Sequence, residues 1–356
     1  MKKFVNYTLL FSFLIFSHFL VGKVITVNNS DTKIAQYSDL QTAIDNSGLD
    51  DTIYVHPSPN PYNGAANGQG VNINRRLTLI GGGYGPTETQ YGWTTNIPNL
   101  NLDSVPSDPI SGNKFPISGT KIIGCNISAY FDLYIADYKT DITLERCMIA
   151  NLLIRGLRYK ITNCLIGAMS VGNFGSIVVS NNFIGSINTS NKSTVIFTNN
   201  IFYPSNGNNV LSSVSYANFS NNIFYSSNPA PSEYSTFNNN FVVHTVVLPV
   251  IPNGNNTGAG NFSNINPQFK AGNLPANITI GDLPKYDWSL ATSPSPSKGI
   301  KGGTDGTDIG IYGGAYPMPN LTGASTLPQI VRMDLFNSVL PKTDKLKVTF
   351  KARKVN

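Results

Sequence analysis

Charge is what this chain has least of. Only 12% of its 356 residues are Asp, Glu, Lys or Arg, and between Lys160 and Glu233 the single charged residue is Lys192. That poverty disfavours a glycoside hydrolase in this stretch, because two carboxylates facing each other across a cleft need paired acids. It also argues against a nucleic-acid partner, which needs a continuous cationic surface. The formal charge of +6 does not alter this. Lys2 and Lys3 supply two of those charges, and the stretch from Arg332 to Lys354 holds seven basic residues against Asp334 and Asp344.

Histidine and cysteine are equally scarce, with three of each. His56 and His244 lie outside the N-terminal segment, and neither falls in a recognisable pairing with Cys or Ser, so the sequence offers no nucleophile triad and no zinc site. Three cysteines in an exported protein permit one disulfide and leave one thiol over. Clustered carboxylates are missing from the first half as well, so calcium is unsupported and no cofactor or metal is expected. A long apolar run occurs once, over residues 7–21, after Lys2 and Lys3 and before the small Gly22. This is the layout of a signal peptide over residues 1–22, with a single membrane anchor as the alternative; the run is short for a bilayer. The expectation is a protein that is secreted or held at the cell surface, with no transmembrane anchor after cleavage.

What the chain has in abundance is Asn, and it has it in register. Seven segments align on one anchor position: KIIGCNI, TLERCMI, KITNCLI, VVSNNFI, IFTNNIF, NFSNNIF and TFNNNFV. Their anchors, Cys125, Cys147, Cys164, Asn182, Asn200, Asn222 and Asn240, are 22, 17, 18, 18, 22 and 18 residues apart. Periods near 20 mark a solenoid. Three positions before the anchor every residue is apolar (Ile122, Leu144, Ile161, Val179, Phe197, Phe219, Phe237), and the next position is nearly always polar. That alternation is the strand period. Two positions past the anchor the chain is apolar again (Ile127, Ile149, Ile166, Ile184, Phe202, Phe224, Val242), so each repeat turns a corner and re-enters the core. Coils of several short strands stacked on one another make a parallel β-helix. At such a corner the anchor Asn tolerates left-handed backbone and can bond to its equivalent one coil away, and the three cysteines read as small buried residues of the same column.

The ends need covering, because an open coil exposes strand edges and core. Ser38 with Gln41 reads as a capping box that starts a short helix, with Leu40, Ala43 and Ile44 on one face. The order of short helix, DTIYV (51–55) and RRLTLIGGGYG (75–85) resembles the start of secreted right-handed β-helix proteins of the pectate-lyase-like superfamily. INPQFK (265–270), YDWSLATSPSPSKGI (286–300) and TDIGIYGG (307–314) resemble the closing segment of bacterial members, with Asn266 and Ser297 departing from the usual Asp and apolar residue. The resemblance covers roughly 24–316 and implies an all-β, right-handed parallel β-helix over 23–316. Residues 317–328 read as a linker, and 329–356 as a C-terminal β-hairpin with an apolar and a basic face.

Two candidate sites emerge. Lys121, Asp141, Glu145, Arg158 and Lys160 are expected to face outward from one sheet over three coils. Lyases of this fold use such a face, and the resemblance implies Lys160 as base with Arg158 and Lys121 on a uronate carboxylate. The alternative is structural, with Asp141 beside Arg158 and Glu145 beside Lys160 as cross-strand ion pairs. The second site is aromatic: Tyr130, Tyr134 and Tyr138 cluster, with Phe131, in one loop and could stack on sugar, with Glu145 as a further contact. Tyr203, Tyr216, Tyr225 and Tyr234 lie near coil boundaries. The expected partner is an extracellular polysaccharide or cell-surface glycan. Binding or adhesion without catalysis is the leading function, and β-elimination on a uronate glycan is the alternative.

Overall fold

The computed structural model describes residues 22–353 except 32–34, 65–69, 85–92, 103–116, 135–140, 156–157, 173–175, 190–193, 204–209, 213, 226–228, 230–231, 244–251, 253, 273, 276–277, 320–328 and 336–347. The apolar run at the N-terminus and Tyr138 lie outside the described residues, as does most of the expected linker. For 132–134 and for the last two strands only the backbone is described.

Two parallel sheets are wound from one chain. The first has ten strands, from Val24–Val27 through Thr52–Val55, Lys121–Ile123 and Tyr159–Thr162 to Thr236–Asn238. The second has twelve, from Val71–Ile73 through Met148–Arg155 and Phe183–Thr189 to Phe262–Ser263. Successive strands of one sheet are consecutive coils, so the all-β, parallel β-solenoid expected from the repeat is what the chain forms. The registers keep equivalent residues in contact. Ile161, Val179, Phe197, Phe219 and Phe237 are neighbours in one inward column and all fully buried. The core changes character along the axis, aliphatic in the early coils and aromatic later. Phe197, Phe219 and Phe237 stack at 4.9 and 4.7 Å between centroids, and Phe202 lies 4.5 Å from Phe224.

The corner is built by two adjacent columns that divide the work. The anchor asparagines form the ladder: Asn200 donates its backbone N–H and its Nδ2 to Asn222 Oδ1, at 2.9 and 3.0 Å, and Asn222 does the same to Asn240. Each also donates Nδ2 to an inward carbonyl, as Asn222 does to Phe197 O at 2.9 Å. The left-handed conformation assigned to these residues from sequence belongs instead to the residue before each one. Gly124, Arg146, Asn163, Asn181, Asn199, Asn221 and Asn239 all have φ between 52° and 65°. The reason is that a ladder side chain must point inward while the chain reverses, and one residue cannot do both. The ladder runs one rung further than the repeat suggested, to Asn261, which accepts from Asn240 N and Nδ2. In the other direction it passes to Cys164, whose N–H donates to Asn182 Oδ1, and then to Cys147, whose N–H reaches Cys164 Sγ at 3.4 Å.

The N-terminal helix α1 spans Leu40–Asp45 and buries Leu40, Ala43 and Ile44. Its cap is Asp39 and not Ser38: Asp39 Oδ1 accepts from Thr42 N and Oγ1, both at 2.7 Å. With the helix starting at Leu40, residue 39 is the N-cap position, and its carboxylate reaches the free N–H of Thr42, three residues on. The two C-terminal strands, Gln329–Leu335 and Val348–Arg353, pair antiparallel in a sheet of their own. Their register opposes Met333 to Phe350 and Leu335 to Val348, with a shift between Ile330 and Arg332 that leaves Val331 out of the pairing.

The closing segment does not simply plug the end. It folds back along the solenoid as a strap. Gly302 O accepts from Asn239 Nδ2, Thr304 exchanges hydrogen bonds with Asn221, Asp308 O and Gly310 O accept from Asn199 Nδ2, and Ile311 O and Gly313 O from Asn181 Nδ2. The left-handed asparagines thus fasten four successive coils to one antiparallel segment. The approach is so close that a Cβ on Gly313 would lie 2.8 Å from Asn199 Nδ2, and one on Gly314 2.7 Å from Asn199 Oδ1. Asn266 and Ser297, the two residues that depart from the closing pattern this segment resembles, keep local turn roles: Asn266 Oδ1 accepts from Gln268 N at 2.7 Å, and Ser297 Oγ from Gly299 N at 3.1 Å.

Candidate functional site

The strap covers an outward column that sequence reasoning left unexplained. Leu165, Phe183, Ile201, Ile223 and Phe241 are neighbours on the outside of the second sheet, yet all are buried, against Phe269, Trp288, Leu290, Ile309 and Ile311. The signal was present in the doubled apolar residues after each anchor, as in NFI and NIF, which break strict alternation. Between strap and sheet lies a crevice of 270 Å³ lined by Ile201, Ile223, Trp288 and Leu290, with Lys270 and Asp308. It falls below the range of about 300–1,000 Å³ usual for small-molecule pockets.

The charged candidates occupy the outer face and rim of the first sheet, at the positions where the register puts them. Lys121, Thr143 and Lys160 are successive members of one column, so the two lysines stand two coils, roughly 10 Å, apart. Arg158 and Asp141 sit two residues upstream in the left-handed conformation, φ 52° and 64°, and form a two-pronged pair with both hydrogen bonds at 2.9 Å. The Arg158 hydrogen bond holds the Asp141 carboxyl below its usual range. Glu145 does not stand beside Lys160, as expected for an ion pair. It lies two residues along the strand, opposite Thr162, and its Oε1 is 3.2 Å from Arg146 Nε, outside hydrogen-bond geometry. Lys160 instead meets the end of the strap, with Nζ 3.8 Å from the centre of the Tyr316 ring.

The aromatic candidates divide. Tyr130 is exposed in the strand Tyr130–Tyr134 of the second sheet, a different face from Lys121, Arg158 and Lys160. The backbone of Tyr134 pairs with Arg155. Tyr203 is buried and Tyr225 packs against Phe269 and Trp288. Tyr216 and Tyr234 are the exception, at 58% and 52% exposed, and their rings stack on each other at 5.3 Å and 9°. Both are left-handed, φ 59° and 51°, at the rim where the chain enters the first sheet. They occupy the same column as Asp141 and Arg158, four coils of register further on: an early ion pair is replaced by a late aromatic pair.

A larger pattern follows from this register. Among the described residues eight large hydrophobics are exposed, and six of them lie on this face: Val24 at the first strand, and Val178, Ile196, Tyr216, Tyr234 and Tyr316 further on. Val178 and Ile196 are direct neighbours in the column that also holds Lys121 and Lys160, and Tyr216 flanks the next member, Asn218. The outcome is a ribbon of aliphatic and aromatic surface along successive coils, edged by Ser176, Thr198 and Ser220. Sequence reasoning missed Val178 and Ile196 because strand propensity alone accounts for a β-branched residue there.

The three cysteines are free and fully buried, and burial pushes the Cys125 and Cys164 thiols up. A thiol-specific reagent is therefore expected to label none of them in the native protein and all three after unfolding, read by mass spectrometry. Among the described residues no three His, Cys, Asp or Glu side chains come together as a metal would need, and no helix is long and apolar enough to cross a membrane. No protein-family model matches the chain, and neither a curated protein nor a solved structure matches it.

Proposed function

We propose that this is an exported β-solenoid that binds a polysaccharide along the outer face of its ten-stranded sheet, without catalysis, in adhesion or at the cell surface. The observation that carries the reading is the mutually stacked, half-exposed pair Tyr216 and Tyr234. Each ring has one face against its partner and one left over. Exposed aromatic faces held rigid by a neighbour bind the apolar face of a pyranose at little cost in conformational freedom. The hydroxyls and amides edging the ribbon supply hydrogen-bond partners at intervals of about 4.8 Å, the strand spacing. The N-terminal apolar run supports export. The cap, the DTIYV and LTLIGGG segments and the closing segment support the finer assignment, a right-handed coil of the pectate-lyase-like kind.

The test is retention of the purified protein on a panel of immobilised polysaccharides, with Tyr234→Ala beside the wild type. The variant is expected to bind about 5–10-fold more weakly, corresponding to a stacking contribution of roughly 1–1.5 kcal/mol. Its unfolding midpoint should be unchanged, since the ring lies at the surface. Equal retention of both proteins removes the tyrosine pair from the site. Unsaturated or reducing ends that vanish in Lys160→Ala replace the binding reading with β-elimination at the charged rim.

A further inference from the structure

The tyrosine pair has a charge beside it, in a part of the sequence that carries no other. Between Lys192 and Lys270 the one residue of the Asp, Glu, Lys and Arg set is Glu233, which directly precedes Tyr234. Register fixes its place. Glu233 is bridged to Ser215, its N–H donates to Val214 O, and its carbonyl accepts from Tyr216 N, both at 3.1 Å. It therefore stands on the rim next to both rings. Glu233 is exposed, and among the described residues its carboxylate has no hydrogen-bond or ion-pair partner. The rim charges of the early coils, Asp141 and Arg158, satisfy each other, whereas Glu233 keeps its charge open to solvent.

Resting on the binding reading above, we infer that the ligand of this face is a polysaccharide bearing free amino groups, with one sugar stacked on Tyr234 and its ammonium group held by Glu233. Two features act in the same direction. The face of an aromatic ring is the negative part of its quadrupole and attracts a cation. A carboxylate accepts charge-assisted hydrogen bonds from an ammonium group. Consecutive Cα atoms lie about 3.8 Å apart, so a sugar seated on the free face of Tyr234 has its equatorial substituents within reach of the preceding side chain. An N-acetylated sugar on the same backbone keeps the stacking and loses the ion pair, so amine against acetamide is the difference that this site reads.

Isothermal titration with glucosamine oligosaccharides and with N-acetylglucosamine oligosaccharides of equal length, at about pH 6 where an amine is protonated, tests the inference. The amine form is expected to bind about 3–10-fold more tightly, from one exposed ion pair and one exposed cation–ring contact. Glu233→Gln should weaken the amine form about 2–5-fold and leave the acetylated form unchanged, and salt at about 0.5 M should act on the wild type in the same way. Tyr234→Ala should weaken both forms about 5–10-fold. Equal affinity of the wild type for the two forms, or a preference that Glu233→Gln leaves intact, overturns the amine class, and loss in Tyr234→Ala then still marks a glycan site. Amine binding that salt abolishes and Tyr234→Ala leaves unchanged overturns the inference as general attraction of a polycation. Binding of another polysaccharide of the panel but of neither form overturns the amine class alone, and binding of none overturns the glycan reading with it.

Discussion

Asn222→Ala should lower the stability of the solenoid by about 3–5 kcal/mol, seen as a fall in the urea midpoint followed by circular dichroism. The amide makes four hydrogen bonds in a fully buried site: Oδ1 accepts from Asn200 N and Nδ2, and Nδ2 donates to Phe197 O and Asn240 Oδ1. Its removal strands a backbone N–H and weakens the satisfaction of a backbone carbonyl where water does not reach, at about 1–3 kcal/mol for each orphaned group. The neighbouring Asn221→Ala is the control. Asn221 carries the left-handed turn, φ 59°, and two bonds to Thr304. Alanine there costs about 1–2 kcal/mol in backbone strain, with water able to compensate for part of the lost strap contact. Equal losses for the two variants would mean that the ladder contributes no more than the turn does.

Trp288→Ala should release the strap before it unfolds the solenoid. The indole is 1% exposed, packs edge-on to Phe183 at 4.8 Å and Phe269 at 5.2 Å, and donates Nε1–H to Leu283 O at 2.8 Å. Its truncation costs about 3–5 kcal/mol, all of it within the layer between strap and second sheet. With that layer loosened, Phe183, Ile201, Ile223 and Phe241 come into contact with solvent while the inner core of stacked phenylalanines is untouched. The expected outcome is increased binding of a hydrophobic dye and proteolytic cleavage within 265–318, with strand content retained in the far-ultraviolet spectrum. A single cooperative loss of all strand signal in the variant would show instead that strap and solenoid fold as one unit.

The tyrosine pair and the charged rim show how closely function follows register here. Asp141, Arg158, Tyr216 and Tyr234 belong to one column, yet in the sequence they share no motif and lie in repeats of different length. Their alignment appears once the strands are paired, because loops of unequal length are absorbed between the sheets and leave the columns intact. The same logic separated Glu145 from Lys160: an offset of two residues along a strand is invisible in a list of outward-facing charges, but it decides which groups touch.

The sequence by itself determined the solenoid, its inward columns and the existence of an asparagine ladder, because a coil that buries one face must repeat its apolar positions at every turn. It also marked both closing regions through short segments with strong turn chemistry. Only the tertiary structure decided which asparagine turns and which one bonds, since neighbours in an NN pair have identical chemistry and differ only in direction. It alone decided that the closing segment returns along four coils, and that Val178 and Ile196 remain open while Phe183 and Ile201 are covered. Those last outcomes depend on contacts between residues 63 to 132 positions apart, for which no local pattern of hydrophobicity carries a signal.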